Sequence, residues 1–161
     1  MYAANASADQ YLSSYPEADL FYSEASRHHY LKANKNFEAG TVITSFRASE
    51  ILDKPDRYTV QKSGQEHITL DPPYLRYMNH SCAPNCFFDM ERMELVALKP
   101  IRLGETLNFF YPSTEWEMAE PFQCLCGTAN CLGTIRGANN LPAEILKQYR
   151  LSPFIANQIH P

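Results

Sequence analysis

From Leu20 onward the apolar positions fall in short runs, separated by polar and turn-forming residues. β-Branched and aromatic residues dominate these runs. The pattern predicts strands over Leu20–Ser23, His29–Ala33, Thr41–Arg47, Arg57–Gln61, His67–Leu70, Cys86–Phe88, Glu94–Leu98 and Thr106–Phe110. Asp71-Pro72-Pro73 must be extended or a turn, because each proline lacks an amide donor and restricts the residue before it. Leu141–Tyr149 reads as a short helix, with Pro142 in its first turn and Ile145, Leu146 and Tyr149 on one face. Residues 1–18 are small and polar with scattered tyrosines and read as a loosely packed lead-in. The tail after Ser152-Pro153 reads as frayed.

The chain also echoes itself. Ala33-x-Lys35-x-Phe37-x-x-Gly40-x-Val42 returns as Ala97-x-Lys99-x-Ile101-x-x-Gly104, with Leu107 one residue late for the last match. Each copy reads as strand, turn and strand, with glycine where the turn needs a positive φ. Two copies do not make a repeat protein; they predict two similar units packed in one fold.

Length bounds this picture: 161 residues suffice for one domain with a modest core. Hydrophobic residues make up 45%, an ordinary globular composition. The longest apolar runs, such as Leu95-Val96-Ala97-Leu98, fall far short of the roughly 20 residues of a membrane span. No basic stretch followed by an apolar core opens the chain, so no secretory signal is expected. The formal charge is -4 with no Lys/Arg cluster, which argues against direct nucleic-acid binding and suits a basic peptide partner. Nothing in the pattern calls for an oligomer, and a monomer is expected.

The five cysteines are Cys82, Cys86, Cys124, Cys126 and Cys131. An odd number without an export signal argues against a disulfide framework and for metal chemistry in a reducing, intracellular compartment. Cys124-x-Cys126-x4-Cys131 places three thiols close together on a loop. Structural zinc takes four ligands in a tetrahedron, so one more is needed from elsewhere: Cys82, Cys86 or His80. Such a zinc would have no open coordination position and would fold the tail onto the body of the protein.

Asn79-His80-Ser81-Cys82-x-Pro84-Asn85 is followed by Gly104-Glu105-x-Leu107-x-Phe109-x-Tyr111, then Trp116, Pro121-Phe122 and the cysteine cluster. This order resembles the SET-domain protein lysine methyltransferases, over roughly residues 20–137, with the cysteines as their post-SET zinc segment. Ala33 through Ile43 resembles the family's first strand–turn–strand. The resemblance implies a mainly β fold of small twisted sheets. In it, the segment ending at Tyr111 threads beneath the Asn79–Asn85 loop as a pseudoknot. It divides the chain into a lead-in (1–18), a minimal SET domain without a cysteine-rich pre-SET segment (19–118), a post-SET zinc segment (119–137) and a C-terminal helix and tail (138–161). It also implies that Cys82 is the fourth zinc thiolate, leaving Cys86 as a buried free thiol.

The implied reaction moves a methyl group from S-adenosylmethionine to a lysine ε-nitrogen. The amine must be neutral, whereas free lysine has a pKa of about 10.4. A dry channel and a nearby sulfonium would depress that value, and alignment supplies the rest. Tyr111 matches the catalytic tyrosine. Phe109 matches the position governing how many methyl groups are added, and phenylalanine there implies competence for di- or trimethylation. Asn79 and His80 match the donor-binding loop, with Arg76 as a further contact to the donor or a brace for Tyr111. Phe122 and Ile135 would close the donor pocket and Trp116 would line the peptide groove. The implied partner is a lysine-bearing protein or peptide, a histone tail being usual. That would place the protein in the nucleus if the source is eukaryotic, and in the cytoplasm otherwise.

Two positions depart from the family pattern. Where it carries Gly-x-Gly against the donor, this chain has His28-His29-Tyr30. Where it commonly has Asp before the tyrosine, this chain has Phe110. A donor pocket narrowed at the first position would make the chain a catalytically silent module that binds a lysine-bearing peptide or another protein. A purely structural zinc module is the remaining reading, against which the intact Tyr111 and Asn-His-Ser-Cys string argue.

Overall fold

The computed structural model describes residues 8–160. Its strands are β1 (Gln10–Ser14), β2 (Ala18–Ser23), β3 (His28–Ala33), β4 (Val42–Ser45), β5 (Arg47–Leu52), β6 (Val60–Gln61) and β7 (His67–Asp71). They continue with β8 (Asn79–His80), β9 (Cys86–Asp89), β10 (Glu94–Ala97), β11 (Asn108–Phe109), β12 (Phe122–Gln123) and β13 (Thr134–Ile135). Two short helices close the chain, α1 (Ala143–Leu146) and α2 (Pro153–Ile159). The predicted mainly β fold of small sheets is what the chain forms. Four sheets are present among the described residues, in the orders β1-β2-β3, β5-β7-β6, β4-β10-β9-β11-β8 and β12-β13.

Each predicted strand segment overlaps an observed strand. The predicted Thr41–Arg47 strand is split, with β4 ending at Ser45 and β5 starting at Arg47. The lead-in needs correction: Gln10–Ser14 is an edge strand, antiparallel to β2. Its side chains are mostly exposed, so backbone hydrogen bonds rather than burial hold it, and no apolar alternation announces it. Residues 1–7 of that lead-in lie outside the described residues.

The internal echo is a pseudo-twofold arrangement in which the two copies bond each other. Phe37 and Ile101 exchange both backbone hydrogen bonds, at 2.8 and 2.9 Å. The Gly40 amide donates to the Ala97 carbonyl at 2.7 Å, and the Gly104 amide to the Ala33 carbonyl at 2.8 Å. Both glycines have positive φ, +82° and +88°, where a Cβ would be strained. Leu31, Ile68, Leu75, Phe88, Leu95, Ile101 and Leu107 form the centre of the main core.

β11 lies between β8 and β9 and runs parallel to both, with Asn108 opposite Asn79 and Phe109 opposite His80. The 81–85 loop joins β8 to β9, so β11 passes under it, which is the implied pseudoknot. Asn85 holds the crossing. Its amide donates to Asn108 Oδ1 and its Oδ1 accepts from the Asn108 amide, both at 3.0 Å. Its Nδ2 donates to the Thr106 carbonyl at 2.8 Å.

The C-terminal part carries a second apolar cluster: Phe110, Ala138, Leu146 and Ile155, with Trp116, Tyr149, Phe154 and Ile159 packed around it. The expectation of a frayed tail is corrected here. Ser152 Oγ accepts from the Ile155 amide at 3.3 Å and caps α2, with Pro153 in the first turn. Ile155 is completely buried. The Ser-Pro pair that reads as an end of structure is a helix start. The segment before it is shorter than expected: α1 covers only Ala143–Leu146 of the predicted Leu141–Tyr149 helix.

Candidate active site

Two groups of side chains meet around β8. The first is the cysteine cluster. The Sγ atoms of Cys82, Cys124, Cys126 and Cys131 all lie within 4.8 Å of one another, and Cys82 and Cys124 are 4.0 Å apart. Four sulfurs around a tetrahedral zinc, each at about 2.3 Å, would be separated by about 3.8 Å. The donor set therefore fits a closed four-thiolate metal centre. Burial pushes the Cys82 thiol up to about 11 and Cys124 higher still. A thiolate cluster in that setting needs a cation to offset its charge. Cys86 stands apart from the cluster, buried on β9.

His80 supports this cluster and is not among its four donors. Its Nδ1 accepts from the Tyr111 amide at 3.1 Å, so the neutral ring carries its proton on Nε2, 3.3 Å from Cys82 Sγ. That Nε2–H donates to the sulfur, as the Leu132 amide does at 3.3 Å. Burial lowers the His80 pKa to about 4 and keeps the ring neutral. One histidine thus ties the cysteine cluster to Tyr111.

The second group lines a cavity of about 820 Å³, within the range of small-molecule and cofactor sites. Tyr111, Phe109, His80 and Phe122 form one wall; His28, His29, Asn79 and Arg76 contribute another part. The Tyr111 hydroxyl donates to the Met78 carbonyl at 2.9 Å, which fixes its oxygen at the cavity wall. The Tyr111 and Phe109 rings are 4.7 Å apart, and Phe88 abuts Phe109 edge-on at 4.7 Å. Burial, and then the nearby Glu115, raise the Tyr111 pKa, so the hydroxyl stays protonated. Asn79 Nδ2 donates to the His29 carbonyl at 3.0 Å and buttresses β8 against β3.

Of His28-His29-Tyr30, His28 and His29 both line the cavity, so strand alternation does not sort them. Tyr30 does not line it: the ring is buried, stacks on Phe21 and donates its hydroxyl to Asp9. His28 is exposed, 3.1 Å from Arg57 Nη2. His29 packs against Tyr77 with ring centroids 4.7 Å apart. Arg76 lies over the Tyr58 and Tyr77 rings and donates to the Tyr77 hydroxyl at 3.1 Å, so it does not brace Tyr111.

Two further expectations shift. Ile135 is buried among Cys82, Cys124 and Phe122, behind the cavity rather than in its wall. Trp116 also lies outside the cavity lining. It packs on the second apolar cluster, and its amide donates to Gln61 Oε1 at 2.9 Å. A large aromatic beside an apolar helix pair buries its surface there, where it replaces water contact.

Phe110 is fully buried and stacks on Tyr149, with centroids 3.6 Å apart and planes 6° from parallel. The Tyr149 hydroxyl in turn donates to the Cys82 carbonyl at 2.7 Å. The position where the family commonly has a carboxylate is here the apolar seat of the C-terminal segment. Sequence reading also missed Glu115, a buried carboxyl in the cavity wall. No motif flags it, because its burial follows from long-range partners.

The SET-domain family model matches residues 8–112, and the chain belongs to that family. A protein of Aspergillus flavus named methyltransferase flvH is 47% identical over 83 residues, covering 50% of this chain and 47% of that protein. An H3 lysine-36 specific histone-lysine N-methyltransferase of Chaetomium globosum is 43% identical over 68 residues, covering 38% of this chain and 8% of that protein. The chain thus spans less than half the length of these relatives. Among solved structures, KRYPTONITE in complex with mCHH DNA, H3(1-15) peptide and SAH superposes with a TM-score of 0.52 at 20% identity, over 71% of this chain and 28% of that one. The methyltransferase domain of human SETMAR gives 0.52 at 16% identity, over 68% and 54%. These two likenesses concern the fold alone.

Proposed function

We propose that this chain is an S-adenosylmethionine-dependent protein lysine N-methyltransferase with a structural zinc on Cys82, Cys124, Cys126 and Cys131. The observation that carries this reading is Tyr111, held by the Met78 carbonyl at the wall of a cavity that Phe109 and Asn79 also line. The Tyr30 ring is turned away from the cavity, which leaves His28 and His29 as the only side chains of that triplet in its lining and weakens the silent-module reading. Relatives named histone-lysine N-methyltransferase support a lysine-bearing protein substrate and a histone tail in particular. A histone substrate would place the protein in the nucleus.

When bound, the donor supplies an electrophilic methyl group on a sulfonium. The protein's part is to hold, orient and dry the reacting amine. Asn79 and His80 in β8, with His29 and Phe122, would hold the donor. The Tyr111 hydroxyl, already committed as a donor to Met78, offers its oxygen lone pairs to the amine and orients it. The Phe109 ring bounds the space for the amine and leaves room for methylated product. The metal would hold β12 and β13 against this wall through Cys82.

Zinc-loaded protein, supplied with methyl-labelled S-adenosylmethionine and an H3 tail peptide, is expected to transfer label to lysine. Tyr111→Phe should lower the rate at least 100-fold. Full activity in that variant would contradict the assignment. Exclusively monomethylated product after exhaustive reaction would contradict the reading of Phe109.

A further inference from the structure

Glu115 is 7% exposed and lines the cavity. Its Oε2 is fully engaged, accepting from Thr114 Oγ1 at 2.6 Å and from the Gln61 amide at 3.1 Å. Its Oε1 has no hydrogen-bond partner among the described residues, yet is not one of the atoms sealed away from solvent. That oxygen keeps some exposure on a residue that lines the cavity. No cation stands against it: the ion pairs among the described residues are Arg47–Asp71 and Arg150–Asp89.

The backbone around this carboxyl is pinned. The Glu115 amide donates to the Tyr111 carbonyl at 3.0 Å, and its carbonyl accepts from the Ala138 amide at 2.9 Å. Gln61 clamps both sides of it, donating its amide to Glu115 and accepting the Trp116 amide on Oε1 at 2.9 Å. A carboxyl used only to hold this turn needs one oxygen, and glutamine would serve equally well. The second oxygen, rigidly presented in the same cavity as Tyr111 and without a partner, matches a ligand that arrives with a positive charge. Burial pushes the carboxyl up to about 7, a cost that a bound cation would offset.

We propose that Glu115 Oε1 is the group that recognises the ammonium of the methyl acceptor, making Glu115 a specificity-determining residue for primary and methylated amines. This rests on the reading of the cavity as a methyl-transfer site. The carboxylate accepts an N–H hydrogen bond from the incoming ammonium and excludes neutral side chains of the same shape; this is a recognition step, and the ammonium must lose its proton before methyl transfer, which uses the neutral amine.

The test uses zinc-loaded protein saturated with S-adenosylhomocysteine, titrated by NMR with Nα-acetyl-lysine methylamide and with its neutral isostere Nα-acetyl-norleucine methylamide. Wild type should bind the lysine compound at least tenfold tighter. Glu115→Gln keeps the acceptor for Gln61 and Thr114 and turns an amide toward the cavity. It should abolish that preference while changing affinity for S-adenosylhomocysteine less than twofold. Glu115→Asp, which keeps the charge but withdraws it, should retain part of the preference and serves if the first variant fails to fold. Equal binding of the two amides by wild type would overturn the proposal, as would an undiminished preference in Glu115→Gln. So would a loss confined to S-adenosylhomocysteine, which would assign the carboxylate to the donor. Failure of wild type to bind S-adenosylhomocysteine at all would overturn the methyl-transfer reading and take this inference with it. Donor-product binding without amine preference overturns this inference alone.

Discussion

The body of the protein and its C-terminal quarter are held together differently. The body is built on the pseudo-twofold pair around Phe37 and Ile101, with a continuous apolar core from Ala18 to Phe109. The C-terminal part from Phe122 onward has a two-stranded sheet of two residues each, two short helices and a small apolar cluster. Isolated two-stranded sheets and helices this short are not stable by themselves in water. The four thiols and the Phe110–Tyr149 stack attach that part to the body. The cavity wall combines both regions, Tyr111 and Asn79 from one and Phe122 from the other. A site completed in this way would depend on the proposed metal, which would hold Phe122 in the cavity wall.

The largest expected effect follows from removing the metal. Chelation, or Cys126→Ser, should abolish hydrogen-exchange protection over residues 119–159 while the amides of β3, β9 and β10 keep theirs. Equal loss in both regions would erase the distinction drawn here.

Phe110→Asp comes next, restoring the residue the family commonly has. Here it would bury an unpaired charge against Tyr149, at a cost of about 3–5 kcal/mol. Thermal unfolding should show the loss, and exchange should place it in the C-terminal part. An unchanged melting temperature would mean that this segment is not seated on Phe110.

Glu115 gives the smallest effect and a signed pH dependence. Burial raises its pKa from 4.5 to about 7, the hydrogen bonds from Thr114 and Gln61 acting the other way. Between these values the native state binds more protons than the unfolded one, so this group's contribution to stability falls as pH rises through the window. The full excursion is about 3 kcal/mol at most. Tyr111, its ionisable neighbour, is pushed far above this range. Unfolding free energies of Glu115→Gln and wild type, measured from pH 4.5 to 8, should converge at the acid end, with the variant gaining as pH rises. A constant difference would contradict the burial of this carboxyl.

The parts of the site legible in the sequence are those written in contiguous strings. Cys124 to Cys131 announce a metal cluster through residue type and spacing, while the crossing loop at Asn79 to Asn85 and the fourth thiol Cys82 are legible only through the family resemblance. The echo between Ala33 and Gly104 was legible as two strand–turn–strand units, but not as partners, because pairing across 64 residues leaves no local mark. Tyr30 is ambiguous for a related reason: alternation does not sort a triplet of which His28 and His29 both line the cavity, and only the packing against Phe21 and Asp9 turns Tyr30 away. Trp116 and Glu115 owe their positions to Gln61, more than fifty residues earlier. α2 was misread because Ser152-Pro153 marks a helix start as well as a loop, and the cluster around Ile155 selects the helix.

The central claim is that the metal-folded C-terminal part completes a donor pocket on the SET body. It is tested most directly by calorimetric titration of S-adenosylmethionine into zinc-loaded protein and into the same protein after chelation. The account predicts micromolar binding in the first sample and none detectable in the second. No binding by folded, zinc-replete protein, or equal binding by both, would contradict it.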